Sequence, residues 1–239
     1  MDPVGELRAF FRAALVTPVE RDHTEPEAAF RRRRLVAGAT LVLGAAGLGL
    51  ALRIEPGNAL FYAATLGVAA VWTVGAFASG RLYTGQAHTR SGGTGHPVLQ
   101  AFLLGIALLV VFLAGAAVVA RVPVLREPVE GLLDHARYGS LWIVAIITAI
   151  NGVAEELFFR GGLYSAVGRR QPVPITTAVY ALVTIPTGVP LLVLAAVMLG
   201  TLVGLQRRVT GGVLGPIITH LTWSLGMLFL LPPALNLWS

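Results

Sequence analysis

The chain of 239 residues contains no cysteine, which excludes disulfide bonds and thiol catalysis. It also contains no lysine, so all eighteen of its basic residues are arginine. Charged residues make up only 13% of the chain and hydrophobic residues 55%, and the mean hydropathy is +0.74. This shortage of charge excludes an ordinary soluble domain and indicates a polytopic protein embedded in a lipid bilayer.

The formal net charge of +6 does not indicate nucleic-acid binding. Most of the arginines stand at the ends of apolar runs rather than in one basic patch. Arginines in such places set the orientation of a membrane protein. No nucleic acid is therefore expected among the partners.

Seven apolar runs are present, and where their limits are clear each has about 18 to 23 residues, the length that a helix needs to cross the hydrocarbon core. They span residues 35–52, 59–79, 98–120, 140–166, 173–187, 189–206 and 212–231. We therefore predict an all-α fold, a polytopic transmembrane helical bundle of about seven helices. The fifth run is short and contains Pro186, so both one helix and two helices with a re-entrant turn stay open there.

The chain divides into four segments. Residues 1–34 form an amino-terminal tail, and residues 35–137 form variable transmembrane helices. Residues 138–231 carry the motifs described below, and residues 232–239 form a carboxyl-terminal tail with Trp238 as an interfacial anchor. Apolar residues recur at helical spacing in the first tail, which is typical of a short helix on the membrane surface, although a frayed tail stays open.

The arginines alternate between the two ends of the predicted helices. The four arginines of residues 31–34, the loop with Arg81 and Arg90, and the pairs at 169–170 and 207–208 fall on one face. By the positive-inside rule that face is cytoplasmic. We therefore predict an integral protein of the bacterial cell membrane with a cytoplasmic amino terminus.

Three charged residues stand inside the fourth apolar run: Glu155, Glu156 and Arg160. Such groups cost about 2.5 to 3.5 kcal/mol each at the centre of a membrane helix, so they are usually kept for function. Glu156 and Arg160 share a helix face and are predicted to pair, whereas Glu155 points about 100° away. Glu155 then faces a cavity with Asn151 one turn before it, where it suits a general base that activates water. The alternative is that the three charges only lock helices together.

Two further polar intrusions occur in later runs. His220 and Ser224 are one turn apart in the seventh run, at a depth that predicts one shared cavity with Glu155. Tyr180 and Thr184 are one turn apart in the fifth run, and spacing favours hydroxyl groups bonded to their own helix over hydroxyl groups lining that cavity.

These residues resemble the CPBP intramembrane proteases, the family that contains the Ras-converting CAAX endopeptidase and bacteriocin-processing membrane proteins. The family's Glu-Glu-x-x-x-Arg is matched by Glu155, Glu156 and Arg160. Its second motif is an aromatic residue followed four residues later by His. This motif aligns with Tyr180 and Thr184, so the aromatic residue is kept and the His is missing.

The third motif of the family is His followed four residues later by Asn or Asp. It aligns with His220 and Ser224, which keep the His and lose the amide or carboxyl group. The resemblance covers residues 138–231. It implies an all-helical membrane core with a cytoplasm-facing site that hydrolyses a peptide bond of a membrane-proximal or lipidated substrate.

The resemblance also implies roles for the site residues. Glu155 is implied as the base that activates water, Glu156 and Arg160 as the supporting pair, and His220 as an oxyanion donor or metal ligand. Supporting positions are Asn151, Tyr180, Thr184 and Ser224. Members of the family are commonly called metalloproteases, so a divalent metal such as zinc stays an open cofactor, with Glu155 and His220 as ligands if one is bound.

Two other functions stay open. Thr184 cannot share proton transfer as an imidazole does, which motivates a catalytically degenerate protein that binds a peptide or membrane partner in the same cavity. A small transporter or proton relay through Glu155 and His220 is the third interpretation. Against it, the two halves of the chain lack the matched broken helices that transporters use.

Overall fold

The computed structural model describes residues 2–21, 23–90 and 92–237, and most of these residues are helical. Two short strands, Ala87–His88 and Thr94–Gly95, pair antiparallel. In chain order the helices are α1 (Pro3–Leu15), α2 (Glu27–Ala51), α3 (Leu60–Ser79), α4 (Val98–Val119), α5 (Pro123–Arg137), α6 (Leu141–Glu156), α7 (Tyr164–Val167), α8 (Pro172–Thr184), α9 (Pro190–Thr210) and α10 (Leu214–Leu237). The predicted all-α fold is confirmed.

Six of the described helical segments are long and apolar enough to cross a membrane. They are α2, α3, α4, α9, α10 and the continuous segment Leu141–Val167, in which a π-helix at Leu157–Leu163 joins α6 to α7. A shorter apolar segment, Pro172–Thr187, contains α8. These seven segments overlap the seven apolar runs, because a helix needs an apolar run of about this length to cross the hydrocarbon core.

The short fifth segment is a single helix. Pro172 occupies its first turn, where a missing N–H group costs nothing. A 3-10 turn, Ile185–Thr187, follows α8 and contains Pro186. Gly188 then takes a left-handed conformation with φ of 75°, and α9 starts at Pro190. The chain therefore reverses through a proline and glycine break, without a second helix or a re-entrant turn in residues 172–190.

Both predicted tails contain helical residues. The amino-terminal tail contains α1, and its last eight residues already belong to α2. The apolar side chains of α1 are largely exposed, with Leu7 57% accessible, so its place on the membrane surface stays a prediction. At the other end α10 continues through Pro232 and Pro233 to Leu237, and Trp238 lies outside the described residues.

Helix α5 lies between the third and the fourth apolar runs of the sequence. Its charged residues occupy one side, and Val129 and Leu133 are buried on the other side against α4 and α10. His135 is also buried, with its ring stacked 3.9 Å from the ring of Phe61. An amphipathic helix therefore closes this end of the bundle.

Arginines close the opposite end. Arg32 donates to the carbonyl of Ala78 over 3.1 Å, and Arg34 donates to the carbonyl of Ala166 over 3.2 Å. Arg33 is fully buried, forms an ion pair with Glu25 and donates to the carbonyl of Arg81 over 3.1 Å. Cations at the carboxyl ends of α3 and α7 satisfy unpaired carbonyl groups and complement the helix dipoles.

The bundle interior depends on small residues that let α2 and α3 approach closely. A Cβ atom on Gly44 of α2 would overlap the buried ring of Trp72 on α3, and one on Gly75 would overlap Thr40. The Trp72 ring stacks in turn on Phe158, with ring centroids 4.7 Å apart. Close approach of small residues is the usual basis of helix association in membranes.

We expect Gly44→Ala to destabilise the protein, because its methyl group would force the Trp72 ring out of place, at a cost of about 1 to 3 kcal/mol. Gly38→Ala is the matched control, since it lies on the same helix with nothing within 4 Å of an added Cβ atom. Thermal unfolding of the purified proteins in detergent measures the difference. Equal midpoints for the two variants would contradict the proposed packing.

The stability of the protein should depend on pH through His135. Burial lowers the pKa of His135 below its ordinary value of 6.5, and the Asp134 carboxylate opposes this in part. The folded state therefore favours the neutral imidazole, so the stabilisation is complete above the unfolded pKa and is lost as the pH falls below about 6.5. We expect the thermal midpoint to drop between pH 7.5 and pH 5.5.

The control for this pH dependence is a pair of leucine variants. His135→Leu should reduce the drop in the midpoint, whereas His96→Leu, at an exposed position, should retain it. If the thermal midpoint of the His135→Leu protein falls with pH as steeply as that of the wild type, other groups cause the pH dependence.

Candidate functional site

The two adjacent glutamates lie where α6 turns into the π-helix. In this segment the N–H of Tyr164 donates to the carbonyl of Phe159, five residues back. Glycines allow the widened turn to pack against its neighbours, because a Cβ atom on Gly161 would lie 2.8 Å from Leu82 and one on Gly162 would lie 3.0 Å from Ser79. Single π-turns inside α-helices frequently mark functional sites.

Glu156, Arg160 and His220 form one buried cluster. Arg160 Nη1 donates to Glu156 Oε1 over 3.1 Å, so the predicted ion pair is present. His220 Nδ1 lies 2.8 Å from the same oxygen. An ionised carboxylate only accepts hydrogen bonds, so the imidazole donates through Nδ1. Glu156 and Arg160 are completely buried and His220 is 5% exposed.

Helices α6 and α10 meet at a glycine to form this cluster. A Cβ atom on Gly152 would lie 3.2 Å from the Leu221 side chain and 3.6 Å from His220 Cδ2. His220 can thus reach the end of α6. The sequence predicts a shared cavity for His220 and Glu155, but the hydrogen bond of His220 goes to Glu156.

Glu155 points about 100° away from Glu156 around the helix and faces α8. It is partly buried, and its Oε2 accepts a hydrogen bond of 2.5 Å from the hydroxyl of Tyr180. The expectation that the hydroxyl groups of Tyr180 and Thr184 bond their own helix is therefore wrong for Tyr180. It is confirmed for Thr184, which donates to the carbonyl of Ala181 over 2.8 Å.

The two remaining predicted residues, Asn151 and Ser224, show no hydrogen bond to Glu155 in the described part of the chain. Asn151 donates to the carbonyl of Ile147 over 3.0 Å, within its own helix. The Oγ of Ser224 is buried and has no partner among the described residues. Glu156 Oε2, Arg160 Nη2 and Thr177 Oγ1 are likewise buried without a protein partner. Such atoms favour water or a polar substrate, since an unpaired buried polar atom costs about 1 to 3 kcal/mol.

Two cavities of the described residues lie away from this cluster. One, of about 220 Å³, is on the arginine-rich side and is lined by Val19, Glu20, Arg21, His23, Tyr83, Thr84, Gly85, Gln86 and Thr210. The other, of about 280 Å³, is lined by Leu133, Ala136, Arg137, Leu141, Leu228, Phe229 and Pro232. Neither cavity is lined by Glu155 or His220, so neither is the cavity that the sequence predicts for these two residues.

The donor set does not fit a transition metal. Within the described ranges no group of three His, Asp or Glu side chains is arranged to hold a metal ion. His220 Nδ1 is hydrogen-bonded to Glu156 Oε1, and the Arg160 cation contacts the same carboxylate. A guanidinium ion next to the carboxylate repels a divalent cation. No reaction step is therefore assigned to a metal on Glu155 and His220.

Two residues that support the site were not recognised in the sequence. Arg207, expected at the solvated end of its helix, is 4% exposed, and its Nε donates to the carbonyl of Arg160 over 2.7 Å. Gly200 faces the cluster, because a Cβ atom there would lie 3.2 Å from Arg160 Nη2. Nothing in the sequence separates Arg207 from Arg208, whereas Gly200 and Gly204 form a small-xxx-small pattern, which is typical of close helix packing.

The fold and the cluster define a class: an integral membrane protein with an acidic, histidine-containing site inside a helical bundle. Residues 137–226 match the family model of the Rce1-like proteins, the type II CAAX prenyl endopeptidases. This segment includes every predicted site residue, and over it the chain is similar to these CAAX-type intramembrane proteases. No curated protein and no solved structure matches the chain.

We expect Arg160→Met to destabilise the protein by about 3 to 5 kcal/mol, because it leaves the buried Glu156 carboxylate without its cation. Arg126→Met is the matched control. Arg126 pairs with Glu130 at the same i,i+4 spacing, but the two side chains are 26% and 32% exposed. For such a pair the loss should be about 0 to 1 kcal/mol.

Equilibrium unfolding of both variants in the same detergent gives the comparison. Similar losses for Arg160→Met and Arg126→Met would show that the Glu156–Arg160 pair does not stabilise the fold.

Proposed function

We propose that this protein is an intramembrane endopeptidase that uses Glu155 to activate water against a peptide bond. The observation that carries the proposal is the Glu155 carboxylate, hydrogen-bonded to Tyr180 beside the buried Glu156, Arg160 and His220 cluster. Ionisable residues at this depth in a membrane bundle are expensive and are usually retained for function. The family match supports the same kind of activity.

The reaction needs one base and one oxyanion donor. Glu155 takes a proton from water, and the hydroxide adds to the carbonyl carbon of the substrate. The tetrahedral intermediate collapses as its C–N bond breaks, and Glu155 returns the proton to the leaving amine. The products are a carboxylic acid and an amine, so atoms and charge balance, and Glu155 ends in its starting state.

Glu156 and Arg160 support His220 in this proposal. The imidazole is anchored through Nδ1, so it acts on the substrate through Nε2. In the imidazolium form both ring nitrogens donate, so His220 can keep its bond to Glu156 through Nδ1 and donate through Nε2 to the oxyanion, the interaction that contributes most in many acyl-transfer sites. The buried Glu156–Arg160 pair keeps the ring in place.

The substrate we propose is a membrane-proximal or lipidated peptide, part of a membrane-associated protein. The site is built from transmembrane helices, so a substrate held in the bilayer meets it without crossing an aqueous phase. By the positive-inside rule we place the arginine-rich face and the amino terminus in the cytoplasm, and we propose that the membrane is that of a bacterial cell. The family model is named for prenyl endopeptidases, which favours a lipidated substrate.

A second candidate function is peptide binding without catalysis. It is favoured by Thr184, whose hydroxyl donates to Ala181 and is thus withdrawn from Glu155. In this case the cluster would hold a partner peptide by hydrogen bonds, and Glu155 would have no chemical role.

Cleavage assays separate the two functions. In proteoliposomes that contain prenylated and unprenylated quenched peptides, we expect the wild-type protein to cleave and Glu155→Gln to lose about 10²- to 10⁴-fold in rate, the range for a general base. Glu130→Gln is the control, since Glu130 is a partly exposed residue of α5.

Thr184→His completes the assay. If the wild-type protein is silent and this variant cleaves, binding without catalysis is the function. Cleavage by wild type and Glu155→Gln at equal rates would remove Glu155 from the mechanism.

A further inference from the structure

The ring of Tyr180 is held on several sides. It is 7% exposed, and its centroid lies 4.7 Å from that of Phe159 in the π-helix. The guanidinium carbon of Arg160 lies 4.8 Å from the ring centroid. On the α9 side, a Cβ atom on Gly200 would lie 3.4 Å from Cδ1 of the ring. The phenol therefore has one packed position, with its hydroxyl directed at Glu155.

The hydroxyl occupies only one of the two carboxylate oxygens of Glu155. It donates to Oε2 over 2.5 Å. A hydrogen bond to one oxygen restricts rotation of the carboxylate and leaves Oε1 available to a water molecule. Fixed geometry of this kind removes part of the entropic barrier of a reaction.

Other side chains near Glu155 do not supply this hydrogen bond. Thr184, one turn further along α8, donates to the carbonyl of Ala181, and Asn151, one turn earlier on α6, donates to the carbonyl of Ile147. His220 is bonded to Glu156. Among the predicted site residues in the described part of the chain, the donor to Glu155 is thus Tyr180.

We propose that Tyr180 is the positioning residue of the hydrolytic site, which orients Glu155 and makes an imidazole at position 184 unnecessary. This inference rests on the proposed function. In each step the phenol keeps its proton and its bond to Oε2, while Glu155 takes up and returns the proton of the attacking water. Tyr180 thus acts through Glu155 and does not contact the substrate.

The test is Tyr180→Phe in full-length protein reconstituted in proteoliposomes with the cleaved peptide. We expect kcat to fall about 10- to 100-fold, the effect of losing one hydrogen bond to a charged group, with KM unchanged. Tyr164→Phe is the matched control, because Tyr164 is similarly buried, at 8% exposed, and its ring packs under Arg207. The control should retain the wild-type kcat.

An infrared readout tests the same bond without turnover. The carboxyl band of Glu155, identified by its loss in Glu155→Gln, should shift in Tyr180→Phe and stay in place in Tyr164→Phe. An unshifted band would overturn the inference whatever the peptide.

The kinetic outcomes distinguish this inference from the proposed function. If Glu155→Gln is inactive and Tyr180→Phe keeps the wild-type kcat, the protease stands and the role of Tyr180 is overturned. A raised KM with unchanged kcat would overturn it as well, because Tyr180 would then contact the substrate. If the Thr184→His variant cleaves and the wild type does not, both proposals fail.

Discussion

The buried contact between Glu156, Arg160 and His220 is the constraint on which the rest of the structure depends. The charges of Glu156 and Arg160 are tolerated inside a membrane bundle because they are paired with each other and hydrogen-bonded. That requirement brings α10 against α6 at Gly152 and α9 against α8 at Gly200, since only close helices deliver the partners. The carbonyl of Arg160 is bonded in turn to Arg207.

The neighbouring carboxylate of Glu155 is separated from this contact by helix geometry. Successive residues point about 100° apart, so two adjacent glutamates face different helices. Glu156 meets His220 on α10 and Glu155 meets Tyr180 on α8. One residue is thereby engaged in an ion pair, while the other keeps a carboxylate oxygen for chemistry. Adjacent and chemically identical side chains thus acquire different environments.

The two ends of the bundle are stabilised by different means. At the arginine-rich end, guanidinium groups bond the carbonyl groups that terminate α3 and α7. At the other end, the amphipathic helix α5 buries Val129 and Leu133 against α4 and α10. The arginines therefore both orient the chain by their charge and satisfy helix ends, and a sequence pattern reveals only the first of these roles.

The sequence by itself determined the all-α membrane fold, the seven apolar segments and the pair of Glu156 with Arg160, because hydrophobic length and helical spacing are local properties. Tertiary structure alone decided that His220 forms a hydrogen bond with Glu156, that Tyr180 forms one with Glu155 and that Arg207 is buried. Those contacts join residues 25 to 64 positions apart, and their geometry follows from how closely helices pack, which no local pattern encodes.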